Sequence, residues 1–447
     1  MKTNSPNGNK SHSKENIIFG RVDRYLINKL AKFSGFIGRK DGKIKPYNLI
    51  LGFMIMTSKK LKSFDSWAGE IASISGISLS KQAVEERMNC KTENMLKLVF
   101  EAKLSSVLKS KLSEKDDEIA GKFLEIFIED STVIPLPANL AEYFPGNVSR
   151  GEKKSQAKIH ALHNLTKNNF SFLDIHSFTN NDQALAPKAL SHLKPGQLIL
   201  RDLGFHVLSV FKEFIAREIY FISRKKFSTK VYDEKTGKQM NLLKLLRKKK
   251  CFDGEVLIGS TEKIKVRLVI VPIPEKQAEK RRRKERKNRD RRINHSLEYY
   301  ELLGYTILMT NVPVETCKRK EITQLYSLRW RIEIIFKTWK SHFSFEEIMP
   351  SECKNPYRVT CVMYLMLLQI ILFQAVWMNY YIEQNKLKDG ETNFSLMKLS
   401  KFFSQHLIAI LTLDNDRQLK KQLAKYCRYE KRNDRLNTME KYEKCAA

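Results

Sequence analysis

From about residue 22 to 113, apolar residues recur every three to four positions, in segments such as PYNLILGFMIMTSK and ENMLKLVFEAKLSSVL. That is the periodicity of helices that bury one face. Within this region FDSWAGEIASISGISLSKQAVEERM predicts two short helices joined at Ser75-Gly76, with Ser80 as N-cap of the second. The spacing fits a helix-turn-helix and equally two ordinary packed helices, because it carries no diagnostic side chain. The pattern then changes to period two. KFLEIFIED (122–130), KIHALHNL (158–165), FSFLDIHSF (170–178), QLILRD (197–202) and IYFISR (219–224) read as strands, with a helix over 205–217 before the last. Three strands with short links, then strand, helix and strand, describe a mixed sheet with helices packed on it.

A second style follows over 225–311, where GEVLIGS, KIKVRLVIVPI and GYTILMTN surround the basic run KRRRKERKNRDRR (280–292). It reads as an insertion. After it LYSLRWRIEIIFKTWKSHF predicts one strong helix, and VTCVMYLMLLQIILFQAVWM (359–378) supplies twenty residues without a charge. That length suffices to cross a bilayer. Against a span stand the mean hydropathy of -0.41, the lack of a second such segment, and flanking bases at Arg358 and Lys386. The segment therefore predicts a helix buried in the protein interior, with Gln369 and Gln374 beside polar partners. Residues 1–16 are polar enough to form a mobile tail, and the last sixty residues are basic and mostly helical.

Composition sharpens this picture. At 447 residues and 42% hydrophobic content the chain has material for about three domains. Lys+Arg 81 minus Asp+Glu 49 leaves +32, an excess that suits a polyanionic partner such as nucleic acid. Seven cysteines without a CxxC pair, and a polar start with no apolar run, point to an unexported protein of a reducing compartment. No HExxH, Walker A or GxGxxG motif occurs, which argues against a zinc hydrolase, an ATPase and a dinucleotide enzyme.

The candidate chemistry lies in carboxylates. On 122–130 the period of two puts Leu124, Ile126, Ile128 and Asp130 on one face, and on 197–202 it aligns Leu198, Leu200 and Asp202. Two strands thus each end in an Asp. Either Asp alone could be a turn or cap residue, whereas two at neighbouring strand ends would repel unless they shared a metal or a proton. Glu125 and Glu129 fall on the opposite face. In the strong helix Tyr326, Arg329, Glu333 and Lys340 lie within one narrow arc, with Leu328, Ile332, Ile335 and Trp339 opposite. An ordinary solvated Arg329–Glu333 pair would give the same pattern. His160 and His163, an odd number apart on one strand, face opposite ways and form no metal pair.

Tyr326-x2-Arg329-x3-Glu333-x6-Lys340 resembles the YREK signature of the IS4 family of bacterial insertion-sequence transposases. IEDST and ILRDLGF resemble that family's two Asp-bearing strand ends, and FISRKK, VRLVIVPIPEKQAEKRRRK and YTILMTNVP support the likeness over roughly residues 20 to 385. The resemblance implies an α/β, RNase H-like mixed sheet with flanking helices, interrupted by a β-rich insertion and preceded by a helical domain, with the apolar helix 359–378 covering the sheet. The division it suggests is a tail over 1–16, a helical DNA-binding domain over 17–115, catalytic core over 116–224 and 312–385, the insertion over 225–311, and a basic helical region over 386–447. It also implies a DDE triad of Asp130, Asp202 and Glu333 holding two Mg²⁺ or Mn²⁺ ions for cut-and-paste transposition. Tyr326, Arg329 and Lys340 would grip the DNA backbone, and the basic run, Arg281, Arg282, Arg283 and Lys284 among it, would add phosphate contacts. The partners implied are double-stranded transposon ends and target DNA, a second copy of the chain in the DNA complex, and no membrane; the location implied is the cytoplasm, at the nucleoid. A derived DNA-binding protein that no longer cuts, and a basic single-span membrane protein, are the competing readings. The intact triad disfavours the first.

Overall fold

The structure, a computed structural model, describes residues 24–38, 42–108, 122–149, 151–167, 169–287, 296–342, 355–387, 395–412 and 416–427. The tail expected over 1–16 and the end of the basic run, 288–292, lie outside the described residues.

Among the described residues the first elements are the helices α1 (Arg24–Phe33), α2 (Pro46–Ser58), α3 (Phe64–Ser75), α4 (Lys81–Glu86) and α5 (Cys90–Leu108). The expected pair of short helices is present as α3 and α4. Gly76, at φ 69, ends α3 in the left-handed conformation that glycine tolerates best, and Ser80 Oγ accepts from Ala83 N at 3.2 Å to start α4.

The chain then lays down β1 (Ile126–Leu136), β2 (Pro145–Ser149), β3 (Glu152–Asn164), β4 (Asn169–Ser177), α6 (Asp182–Leu185), β5 (Leu198–Arg201), α7 (Leu208–Ala216) and β6 (Tyr220–Arg224). It continues with β7 (Val231–Asp233), α8 (Leu242–Lys249), β8 (Phe252–Ile258), β9 (Ile264–Pro272), α9 (Glu275–Arg286), α10 (Leu297–Leu302) and β10 (Tyr305–Thr310). The last elements among the described residues are the helices α11 (Arg319–Ser327), α12 (Trp330–His342), α13 (Pro356–Leu387), α14 (Leu396–Thr412) and α15 (Asp416–Tyr426).

The ten strands among the described residues form one mixed sheet in the order β2-β3-β1-β5-β6-β10-β9-β8-β7, with β4 on β3. β3 pairs antiparallel with both β1 and β4, while β1, β5 and β6 run parallel through crossovers that carry α6 and α7. This is the RNase H-like arrangement, a meander continued by parallel strands. Strands β7 to β10 extend the same sheet from β6. β5 is buried at all four positions, as a central parallel strand covered on both faces should be.

The two faces have separate cores. Ile126, Ile128, Leu198 and Leu200 join a core shared with α1–α5 and with α12–α15. Phe127, Ile199 and Phe221 join a second core under α7 and α8. The opposition expected of His160 and His163 holds: His160 packs on Phe172 and Phe205 of the second core, His163 on Phe170 of the first.

The apolar helix α13 is buried from Val359 to Phe373, apart from half-buried Thr360 and Tyr364. It alone among the described residues is long and apolar enough to cross a membrane. Its partners differ from expectation. α13 lies chiefly against α5, with α2 and α14, while α5 packs on β4 and α12 on β1. The sheet was already covered, so α13 forms the middle of a helical layer beyond it. Gln369 is buried with Oε1 2.9 Å from Thr57 Oγ1 of α2; the side chain of Gln374 lies outside the described residues.

Candidate active site

Parallel pairing of β1 with β5 ends at Glu129↔Arg201, so the next residues, Asp130 and Asp202, leave the last rung side by side. Asp202 does end its strand. Asp130 does not: β1 continues to Leu136 because β3 keeps pairing with it as far as Leu136↔Ser155. The carboxylate therefore sits mid-strand, at the point where only one neighbour remains. Leu124, expected on the same buried face, precedes the strand and is 70% exposed.

The single helix expected over Tyr326 to Lys340 is two helices. α11 ends at Ser327 and α12 starts at Trp330, with Leu328 N bonding back to Leu325 O at 3.0 Å and Arg329 N to Tyr326 O at 3.2 Å, the closer spacing of a tightened turn. Arg329 thus stands at the break. The expected core stripe is nevertheless buried: Leu328 and Ile332 fully, Ile335 and Trp339 nearly so. Upstream, Arg267 fixes the segment leading into α11. Its guanidinium forks onto Asp253 at 2.7 and 2.9 Å and donates to Cys317 O at 2.7 Å.

These placements bring the three carboxylates onto one cation. Arg329 Nη1 lies 3.1 Å from Asp130 Oδ2, Nε 3.8 Å from Asp202 Oδ1, and Nη2 2.5 Å from Glu333 Oε1. Burial pushes the Asp130 carboxyl up to about 7, against the pull of Arg329 and of the Ser131 N–H that donates to its Oδ1. Burial works against the charge of Arg329 too, but Tyr326, Asp202, Asp130 and Glu333 outweigh it and hold the guanidinium more firmly protonated than usual. Tyr326, its ring centroid 6.0 Å from that guanidinium, has a phenol raised by burial. Lys340 Nζ donates to Val133 O at 2.8 Å, three residues along β1 from Asp130. Arg329 and Lys340 thus reach β1 directly, Glu333 is joined to it through Arg329, and Tyr326 lies against Arg329.

As the side chains stand, no three acidic, imidazole or thiol groups among the described residues are close enough to share a metal ion. Arg329 occupies the point of convergence. The donors nonetheless suit a hard divalent cation: three carboxylates on rigid elements, one of them poorly compensated by its surroundings.

The basic run is helical as far as Arg286 and its members differ. Arg281 donates to Tyr305 O at 3.0 Å, and Arg282 to Tyr300 O at 3.2 Å and to Glu279 at 2.9 Å. Arg283 and Lys284 are exposed. Sequence reading passed over Glu129, Arg201 and Asp182. Glu129 and Arg201 are wholly buried against each other, and Asp182 accepts from Ser131 Oγ at 2.8 Å and Lys158 Nζ at 2.9 Å. One signal was available: the residue before each strand Asp is charged, with opposite signs.

Residues 121–369 match the family described as Transposase DDE domain. The chain belongs to the DDE transposases. It is 28% identical over 348 residues to the transposase for insertion sequence element IS231E of Bacillus thuringiensis subsp. finitimus, covering 72% of this chain and 71% of that one. It is 28% identical over 444 residues to the IS231C transposase of Bacillus thuringiensis subsp. berliner, covering 94% and 90%. The resemblance to IS4-type transposases is thereby upheld. Among solved structures, piggyBac transposase in a synaptic complex with hairpin DNA aligns with a TM-score of 0.46 and 8% identity over 93% of this chain and 85% of that one. As a DDE transposase the protein is an enzyme that cleaves and transfers DNA strands.

Proposed function

We propose that this transposase binds the terminal inverted repeats of its own insertion sequence and moves the element by cut-and-paste strand cleavage and strand transfer, with Asp130, Asp202 and Glu333 as its metal-holding triad. The convergence of these carboxylates, from β1, the end of β5 and α12, on one guanidinium carries the reading. Bound there, two Mg²⁺ or Mn²⁺ ions would supply Lewis-acid stabilisation of the phosphoryl group in transfer. The chain's own cations do the rest. Arg329 can fork onto a phosphate once released from the carboxylates, Lys340 adds a point charge, and Tyr326 braces Arg329. Arg283 and Lys284 extend the contact to flanking duplex. Arg281 and Arg282 serve it indirectly, by holding α9 against β10 and α10.

The helical region of α1–α5 is assigned to DNA binding, the active assembly to two copies of the chain on paired ends, and the place of action to the cytoplasm at the nucleoid. The test is incubation of the full chain with duplexes from the edge of its element, with and without Mg²⁺ or Mn²⁺. Strand breaks at the element's terminus are expected only with metal. Asp130→Ala, Asp202→Ala and Glu333→Ala should each abolish them while leaving duplex binding within about threefold, a change below 1 kcal/mol. Wild-type cleavage by Asp202→Ala would sink the triad, and an intact wild-type protein that binds ends but never cuts would favour a DNA-binding derivative.

A further inference from the structure

On the far side of the sheet from the proposed triad lies a buried charged cluster. Glu129 and Arg201 are each 0% exposed and pair directly across the last parallel rung between β1 and β5. Arg201 Nε meets Glu129 Oε2 at 2.6 Å, and its Nη2 donates to Ala186 O at 2.7 Å. The guanidinium is walled in by the rings of Phe205, Phe211 and Phe214, 5.1 to 5.8 Å from their centroids. His160 of β3 completes the cluster with Nε2 2.9 Å from Glu129 Oε1; facing a carboxylate, that nitrogen is the donor.

Stability does not account for such a cluster. Desolvating both charges offsets much of their attraction, and apolar replacements of buried ion pairs are often neutral or stabilising. What it does supply is position. β5 has only four residues, and its pairing with β1 stops at this rung. Asp130 and Asp202 are the very next residues, and alternation points them to the opposite face. A pair that resists slip and splay at this rung fixes how far apart the two aspartates emerge.

We propose that Glu129, Arg201 and His160 are positioning residues, a buried clamp that sets the spacing of Asp130 and Asp202 for divalent metal. This rests on the triad assigned above. The test titrates the full chain with MnCl₂, followed by electron paramagnetic resonance, beside thermal melting. The apolar triple variant Glu129→Met/Arg201→Met/His160→Phe should melt at or above the wild-type temperature and bind Mn²⁺ at least tenfold more weakly, the scale of losses when groups behind metal ligands are removed. Arg201→Lys, which keeps the charge and loses the fork, covers the case in which the triple variant does not fold; it should melt near wild type and lose several-fold in affinity. Asp202→Asn serves as control. If Asp202→Asn loses Mn²⁺ binding and folded Arg201→Lys and triple variants bind as wild type does, the clamp is overturned and the triad stands. If Asp202→Asn itself binds as wild type does, the triad is wrong and the clamp falls with it.

Discussion

On the proposed function Arg329 carries two duties that compete. Tied to Asp130, Asp202 and Glu333, it neutralises a cluster that would otherwise repel itself; released, it is the side chain best shaped to grip a phosphate. Removing it should have opposite effects on the two ligands. Arg329→Gln should tighten Mn²⁺ binding to the free protein on the order of tenfold, about the strength of one charge-assisted hydrogen bond, and weaken retention of transposon ends. Unchanged metal affinity would mean that the guanidinium yields to the ion at no cost. A second residue-scale prediction concerns His206, four residues beyond Asp202. Its Nε2 lies 3.0 Å from Thr229 Oγ1 and its Nδ1 3.3 Å from Arg224 O, and burial lowers its pKa from 6.5 to about 4. Because the folded value is below the unfolded one, acid favours unfolding: the stabilisation present above pH 6.5 is lost as pH falls towards 4, at most about 3 kcal/mol. Denaturant melts from pH 7 to 4 should show a shallower acid loss for His206→Gln than for wild type.

At the scale of elements, strands were read correctly where an apolar face alternates, and their ends were misread where a neighbour decides. Nothing within KFLEIFIED reveals that β3 carries β1 on to Leu136 after β5 has stopped. Likewise the 3.6 period of 325–343 is continuous, so the break at Leu328–Arg329 is invisible in it; α11 packs on β6 and α12 on β1, strands the sequence does not name as their partners. The carboxylates of the proposed triad could be nominated because alternation and spacing are local, whereas Glu129 and Arg201 escaped because each is an exception to its strand's apolar face until the two are paired. α13 illustrates the same limit: its burial was legible and its partners were not. Its one described interior polar group, Gln369, makes a test. Thr57→Val should cost about 1–3 kcal/mol by leaving the buried amide short of a partner, while Thr57→Val/Gln369→Leu should recover most of it. Additive losses in that double-mutant cycle, measured by urea melts, would show that the two side chains do not interact.

For the molecule as a whole, the charge of +32 is not spread evenly in its consequences. Some of the cations hold the fold together, as Arg267, Arg281 and Arg201 do through buried carbonyls and carboxylates. Others, such as Arg283 and Lys284, lie exposed on α9, Arg283 only 3.9 Å from Glu279 Oε2, and on the proposed function they would displace counterions from a DNA backbone. The two classes should separate in a salt titration. Each phosphate neutralised steepens the fall of log affinity with log salt by about 0.9. Arg283→Ala/Lys284→Ala should therefore reduce the magnitude of that slope by about 2 for any duplex, whatever its sequence, with little change in melting temperature. Arg281→Ala should do the reverse, leaving the slope nearly intact and lowering stability by about 1–3 kcal/mol, because it strips a donor from Tyr305 O at the start of β10. Were the two variants to show the same slope change, α9 would meet DNA through its inner face as well, and the bonds that hold it to β10 would have to open on binding.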